Sequence, residues 1–147
     1  MRSSFLPLLL LAGCGDIPRD PQGTLDAVQR TGVIRVGEVA GAERRDKEAG
    51  HQILRRLSGK TGATPSIVIG TLEPLLLRLE NGELDLVVAG RFDEKSPWAT
   101  RVTLGPAYLK RGEAHGVVTA SYVVARNGEN AWITLVQRKT KEEVRGQ

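Results

Sequence analysis

Cys14 has the clearest chemical potential in the chain, and it is the single cysteine among 147 residues. A thiol is a nucleophile once it loses its proton, and here it follows the small residues Ala12 and Gly13. Upstream, Arg2 precedes an uncharged stretch over Phe5–Leu11. A basic residue, a short apolar core and small residues are the layout of an export signal. The stretch is far shorter than the roughly 20 residues that a bilayer-crossing helix needs, so we expect no permanent span.

The ending Leu11-Ala12-Gly13-Cys14 resembles the bacterial lipobox. In proteins with a lipobox, the thiol receives diacylglycerol, the chain is cut just before the cysteine, and the new amino terminus is acylated, for example by palmitate. The resemblance implies a signal peptide over 1–13, a lipidated Cys14 with a flexible spacer over 14–23, and one domain over 24–147. Several acyl chains on one residue give stable anchoring. We therefore expect an extracytoplasmic protein, lipid-anchored on the periplasmic side of a bacterial membrane. The other interpretation is an ordinary buried or free thiol.

Glu38, Thr71, Arg91 and Asp93 form a second group with chemical potential. They follow three short apolar runs, where we predict strands to end. Ligands lie beyond the carboxyl ends of the strands in an open parallel sheet. Free N–H groups of a helix that begins at Thr71 could hold an anion, and the guanidinium of Arg91 could assist. The functional interpretation is a shallow polar ligand site. The structural interpretation is a capping threonine, a strand-end turn and solvated charges.

The elements that position these residues alternate between strands and helices. Apolar residues at helical spacing predict helices that begin at Thr24, Asp46 and Thr71, each of which can cap a helix N-terminus. Short β-branched runs predict strands over Val33–Gly37, Ser66–Ile69 and Leu84–Ala89. Helices between short apolar strands predict an α/β fold with a mostly parallel sheet, covered on both faces in three layers.

The last third of the chain predicts further elements. They are a short helix from Ser96-Pro97-Trp98, a strand within Val117–Ala125, a turn at Asn127-Gly128 and a final helix that carries Trp132. Trp98 and Trp132 each admit two interpretations, an exposed contact for a partner or a core residue. The basic run Arg138–Lys141 also admits two, a solvated helix face or a patch for lipid head groups or nucleic acid.

Composition and spacing argue against several kinds of function. The formal net charge is only +4, and aromatic residues make up 4% of the chain, which argues against a base-stacking nucleic-acid platform. His51 and His115 lie far apart in the sequence, and the chain has no second cysteine, so its residues lack the spacing of metal ligands. We therefore expect no metal site. No G-x-S-x-G pattern is present in the sequence. We therefore expect no catalytic residues, no cofactor, no nucleic-acid partner and no enzymatic activity.

Four segments follow one another in a recognisable order: Thr24–Gly37, Leu79–Gly90, Asp93–Tyr108 and Val123–Asn130. In that order they resemble the extracellular solute-binding proteins of family 3, the amino-acid-type receptors of ABC importers. The resemblance implies a lobe like that of a type II periplasmic binding protein. It also implies a small polar or anionic solute as ligand and a transporter permease as partner.

Two departures from the family limit what the resemblance implies. From Tyr108 the chain reaches the return strand through Lys110–His115, which leaves no room for a second lobe. After Ala-Gly, the family places Thr or Ser and then an Arg that pairs with the ligand carboxylate, whereas this chain has Pro97 or a near neighbour at the Arg position. We therefore expect a single lobe, and amino-acid binding is not implied.

We expect this lobe to be a lipid-anchored, solute-binding-like protein associated with ABC-type transport of a small polar solute. The alternative is a degenerate accessory lipoprotein that binds a protein partner and no small molecule.

Replacing Cys14 by Ser tests the export hypothesis. We expect an uncleaved precursor without lipid, because the hydroxyl cannot take the place of the thiol as nucleophile in the transfer of the diacylglyceryl group. Mass spectrometry of the membrane fraction, with the unchanged chain as control, measures both cleavage and acylation. A Cys14→Ser chain that is fully matured and still lipid-bound would contradict the hypothesis.

Overall fold

The computed structural model describes residues 20–110 and 119–146. The predicted signal peptide, Cys14 and His115 lie outside the described residues. The helices are α1 (Thr24–Thr31), α2 (Arg44–Thr61), α3 (Leu72–Glu80), a 3-10 helix (Pro97–Thr100) and α4 (Asn130–Arg145). The strands are β1 (Val33–Val39), β2 (Thr64–Gly70), β3 (Leu86–Asp93), β4 (Val102–Leu104), β5 (Leu109–Lys110) and β6 (Thr119–Arg126).

The described strands form one mixed sheet in the order β2-β1-β3-β6-β4, with β5 also paired to β6. β1 is parallel to both β2 and β3, whereas β6 is antiparallel to β3, β4 and β5. β6 therefore runs against the other described strands, and the sheet is mostly parallel in strand direction. This arrangement confirms the predicted α/β fold class. β4 and β5 were not predicted, because strands of this length are defined by their pairing with β6 rather than by their own residues.

Helices cover the sheet on two faces, which gives the predicted three layers. The core beneath α1, α2 and α4 includes Val28, Ile34, Ile53, Leu57, Leu86, Val123 and Trp132. The core beneath α3 includes Leu75, Leu76, Leu79, Val87, Phe92, Tyr122 and Val124. Trp132 is fully buried, so its core interpretation is the correct one. Trp98 is partly buried against the second core, and the guanidinium of Arg101 lies over its ring at 4.1 Å.

β2 departs from the prediction of a sheet that is covered on both faces. It is an edge strand, and most of its residues are exposed. Ile67, Val68 and Ile69 keep 42%, 38% and 64% of their accessible surface. The sequence prediction failed here because an apolar run shows that a strand forms, but not that a helix packs over it.

Two of the three predicted helix caps are wrong. Gly23 occupies the cap position of α1, so Thr24 is the first helical residue. Glu43 occupies the cap position of α2, and Asp46 lies buried in its first turn, where its Oδ1 accepts a hydrogen bond of 2.6 Å from Ser121 Oγ. Thr71 does occupy the cap position of α3, although its side chain makes no capping hydrogen bond.

The end of the predicted spacer, residues 20–23, is hydrogen-bonded to the domain. The buried carboxylate of Glu129 accepts the Gln22 N–H at 2.9 Å and the Thr24 N–H at 3.0 Å. Burial raises the pKa of Glu129, but the hydrogen bonds from Thr24 and Gln22 and the charge of Arg126 outweigh that effect. The pKa of Glu129 is therefore lowered, and the carboxylate stays charged while it fixes the start of α1.

Asp85 joins β1, β3 and α4 at the amino ends of the two strands. Its buried carboxylate accepts the Arg35 backbone N–H at 2.7 Å and the Arg35 guanidinium through both oxygens, at 2.5 and 3.1 Å. This hydrogen bonding raises the pKa of Arg35. The Asp85 carbonyl accepts the indole N–H of Trp132 at 2.8 Å. Asp85 belongs to Leu79–Gly90, one of the segments that resemble the solute-binding family, and its contacts give it a structural role.

Replacing Asp85 by Ala should lower the free energy of unfolding by about 2–3 kcal/mol, because the substitution removes the acceptor of the part-buried Arg35 backbone N–H and of two hydrogen bonds from its guanidinium. Urea unfolding measures the loss. The control is Glu80→Ala, which removes an exposed ion pair with Arg101 and should cost about 1 kcal/mol or less. Equal losses in the two variants would contradict the role assigned to Asp85.

Candidate functional site

A cavity of about 320 Å³ opens at the carboxyl end of β1, next to β3. The turn after β1 provides half of the lining residues, and the others come from the end of β1, from α2 and from β3. The lining residues are Val39, Ala40, Gly41, Ala42, Glu43, Asp46, Ala89 and Arg91. The cavity therefore lies at the edge of the sheet where the sequence predicted a ligand site.

A bulge in β3 places Arg91 at this cavity. The pairing of β3 with β6 shifts register between Val88 and Arg91. Gly90 lies in the bulge at φ +51°, a left-handed conformation that favours glycine. A Cβ on Gly90 would lie 3.3 Å from the Cβ of Ala42 in the opposite wall. Glycine therefore permits both the bulge and the close approach of the two walls. Bulges of this kind commonly reorient side chains beside binding sites.

The cavity carries charges of both signs. Arg91 Nη2 lies 2.6 Å from Glu43 Oε1, and both side chains are more than half exposed. Asp46 contributes a buried carboxylate whose Oδ1 is held by Ser121. A guanidinium binds carboxylates and phosphates through paired hydrogen bonds. The arrangement can therefore hold a small solute that carries an anionic group, a cationic group or both.

Among the four predicted ligand residues, Arg91 lines this cavity and the other three do not. Glu38 is buried against α2, where its carboxylate lies 2.6 Å from His51 Nε2 and 3.6 Å from Lys47 Nζ. Thr71 begins α3. Asp93 accepts the Lys95 backbone N–H at 2.8 Å within a turn. A ligand-binding role for each of the four residues stays a prediction.

Glu43 and Asp46 line the cavity but were absent from the predicted site. The signal that could have found them is the run Ala40-Gly41-Ala42, because small residues directly after a strand leave space at its carboxyl end. Side-chain direction in the first turn of α2 depends on where the helix begins. The predicted helix had Asp46 as its cap, whereas α2 begins at Arg44 and Asp46 lies in its first turn.

Residues 20–110 and 119–146 contain no group of three or more His, Cys, Asp or Glu side chains placed to hold a metal ion. No helix in this part of the chain combines the length and apolar character needed to cross a membrane.

Solved structures show which proteins share this architecture. Domain 1 of TmArgBP, in an arginine-bound Phe57Trp mutant, is 18% identical and has a TM-score of 0.64, and the match covers 80% of this chain and 96% of that domain. This chain has the fold of one substrate-binding-protein lobe. No protein-family model matches the sequence, and no curated protein matches it either.

Two other amino-acid-binding proteins match the lobe. One is an amino acid ABC transporter substrate-binding protein from Streptococcus pneumoniae, bound to L-arginine, with 10% identity, coverage of 82% of this chain and 92% of that chain, and a TM-score of 0.66. The other is a Salmonella typhimurium periplasmic binding protein with high arginine specificity, with 8% identity, coverage of 77% and 93%, and a TM-score of 0.62. The TM-scores of 0.66 and 0.62 show a shared fold. The substrate-binding-protein lobe predicted from the sequence is therefore confirmed.

Replacing Gly90 by Ala should destabilise the lobe by about 1–2 kcal/mol, because a Cβ in the left-handed region is strained and meets Ala42. Thermal unfolding measures the change. Gly59→Ala is the matched control, since Gly59 lies inside α2 with open space around it and should gain about 0.5–1 kcal/mol. Destabilisation by Gly59→Ala, or none by Gly90→Ala, would contradict the role assigned to the bulge.

Proposed function

We propose that this protein binds a small polar solute in the cavity at the carboxyl end of β1, as a non-catalytic receptor lobe. The observation that carries the proposal is the placement of Arg91 and buried Asp46 around one cavity at the sheet edge where ligands of open α/β sheets lie. The solved neighbours that are bound to arginine support a solute with both ammonium and carboxylate groups.

The charges suggest how such a solute would be oriented. A carboxylate of the solute would bind the guanidinium of Arg91 in place of Glu43, and an ammonium or guanidinium group of the solute would approach the carboxylate of Asp46 or Glu43. An exposed ion pair is worth about 1 kcal/mol or less, so a ligand can separate Arg91 from Glu43 at small cost. The open cavity of a single lobe buries less of the ligand than a closed two-lobe cleft would, so we expect modest affinity.

The wider setting belongs to the same proposal. A lipid on Cys14 would hold the lobe at the extracytoplasmic face of a bacterial membrane, where a permease of an ABC transporter could receive the solute. The lipobox-like sequence supports the anchor, and the ABC transporter protein among the solved neighbours supports the transport role.

A thermal-shift panel on the full chain in detergent tests solute binding. Tryptophan fluorescence would follow unfolding with arginine, other amino acids, dicarboxylates, phosphate and sugars. We expect a charged amino acid to raise the melting temperature, because a ligand at 100 times its dissociation constant adds about 2.7 kcal/mol. Arg91→Gln should weaken binding at least tenfold (about 1.4 kcal/mol).

The matched control for Arg91→Gln is Arg78→Gln. Arg78 also makes an exposed ion pair, with Glu83 at 3.1 Å, but it lies outside the cavity lining, so binding should be unchanged. A panel without any shift, or equal weakening in both variants, would overturn the proposal.

The alternative of a lipoprotein that binds a protein partner is favoured by a different observation. The apolar side chains of β2 are exposed at the edge of the sheet, away from the cavity. For such a lipoprotein, Arg91→Gln would leave binding of the protein partner unchanged, and substitutions in β2 would abolish binding of that partner.

A further inference from the structure

The outer edge of β2 carries backbone groups that another strand could pair with. Across residues 20–110 and 119–146, β2 pairs with β1 alone. The Thr64 N–H donates to the Gly32 carbonyl at 2.8 Å, and the Gly70 carbonyl accepts the Ala40 N–H at 2.8 Å. Both ends of β2 therefore direct their backbone groups toward β1.

Successive residues of a strand direct their backbone N–H and C=O groups to opposite sides. The residues between Thr64 and Gly70 therefore alternate between β1 and the open edge. Ser66 and Val68 bond toward β1, whereas Pro65, Ile67 and Ile69 direct theirs to the open edge. Proline has no N–H, so the free donors of this edge are the N–H groups of Ile67 and Ile69.

Exposed apolar side chains occur on both faces of this edge, beside the polar Thr64 and Ser66. Ile67 pairs in register with Val36, which lies in the core under α2, so Ile67 and Ile69 share the α2 face. Val68 pairs with Gly37 and lies on the α3 face. No charged residue occurs from Ala63 to Thr71. Charged side chains, bulges and interior prolines are the features that keep edge strands from pairing, and here only Pro65, near the start, provides one.

We propose that β2 pairs antiparallel with β2 of a second copy of this chain, about a twofold axis at Val68. In this register Ile67 of each copy lies opposite Ile69 of the other, and these two residues exchange N–H and C=O hydrogen bonds. Every free donor of the edge is then satisfied, and Pro65 lies outside the exchanged bonds. No residue of β2 is charged, so the paired strands themselves bring no like charges together.

The same register gives the isoleucines a place to pack. A cavity of about 270 Å³ lies between α2 and β2, and its apolar lining includes Leu54, Pro65 and Ile67. The partner's Ile69 would lie beside Ile67 at the mouth of this cavity. Ile69 is 64% exposed in the single chain, so pairing removes its apolar surface from water in both copies at once.

A second copy suits this edge because the sequence Ile67-Val68-Ile69 is symmetric about Val68, so isoleucine meets isoleucine and the free donors of both chains meet acceptors. A twofold contact of this type also closes on itself and does not continue into a filament. The interface would extend the sheet across both chains.

Cysteine cross-linking of the full chain in membranes tests the register. Val68→Cys should give a disulfide-linked band at twice the monomer mass, because a non-hydrogen-bonded antiparallel pair has Cα atoms about 4.5 Å apart, within the range for a disulfide. Ser66→Cys is the matched control on the same strand face. Its two copies would lie about 13 Å apart, too far to link. The unchanged chain shows any linkage through Cys14.

Sedimentation in density-matched detergent gives an independent measurement. The unchanged chain should dimerise, and Ile69→Lys should weaken the dimer at least tenfold. Val144→Lys, at a comparably exposed apolar residue of α4, should leave it unchanged. A monomer at all concentrations, equal linkage of Val68→Cys and Ser66→Cys, or linkage of Val68→Cys to a different protein would overturn the proposal.

Discussion

The buried carboxylate of Asp85 is the constraint on which the central part of the structure depends. A buried carboxylate is costly unless its oxygens are hydrogen-bonded, and here both oxygens are satisfied by Arg35. The adjacent carbonyl fixes the indole of Trp132, the largest fully buried side chain. The start of β1, the start of β3 and the first turn of α4 are thereby held in one arrangement. The opposite ends of the strands are then free to carry a loop, a bulge and a cavity.

The sequence predicted the elements that local chemistry determines. Gly32 and Gly62 end α1 and α2 in the left-handed conformation, as a helix-stopping glycine does. The predicted strand over Leu84–Ala89 corresponds to β3, which begins at Leu86, so Asp85 precedes the strand. The predicted caps at Thr24 and Asp46 failed because tertiary contacts decided both positions. Glu129, distant in sequence, accepts the Thr24 N–H, and Ser121 holds Asp46 inside the first turn.

The candidate site was predictable in location but not in most of its residues. Strand order and direction place any ligand site at the carboxyl edge, and Arg91 follows from that rule. Glu43 and Asp46 line the cavity because of where α2 begins, and the bulge at Gly90 brings β3 to the same cavity. No local sequence pattern predicts either feature. Glu38 was predicted from the same rule, but the alternation of β1 turns its side chain toward His51 on the α2 face, outside the lining of this cavity.

The contacts of Glu129 also give the molecule a direction. Glu129 follows β6, whose last residues pair near the start of β3, so the bonds to Gln22 and Thr24 lie at the amino-end edge of the sheet. The described part of the chain thus begins on the side of the lobe opposite Arg91. Under the proposed lipid anchor at Cys14, attachment on that side would leave the cavity accessible to solutes from the aqueous compartment.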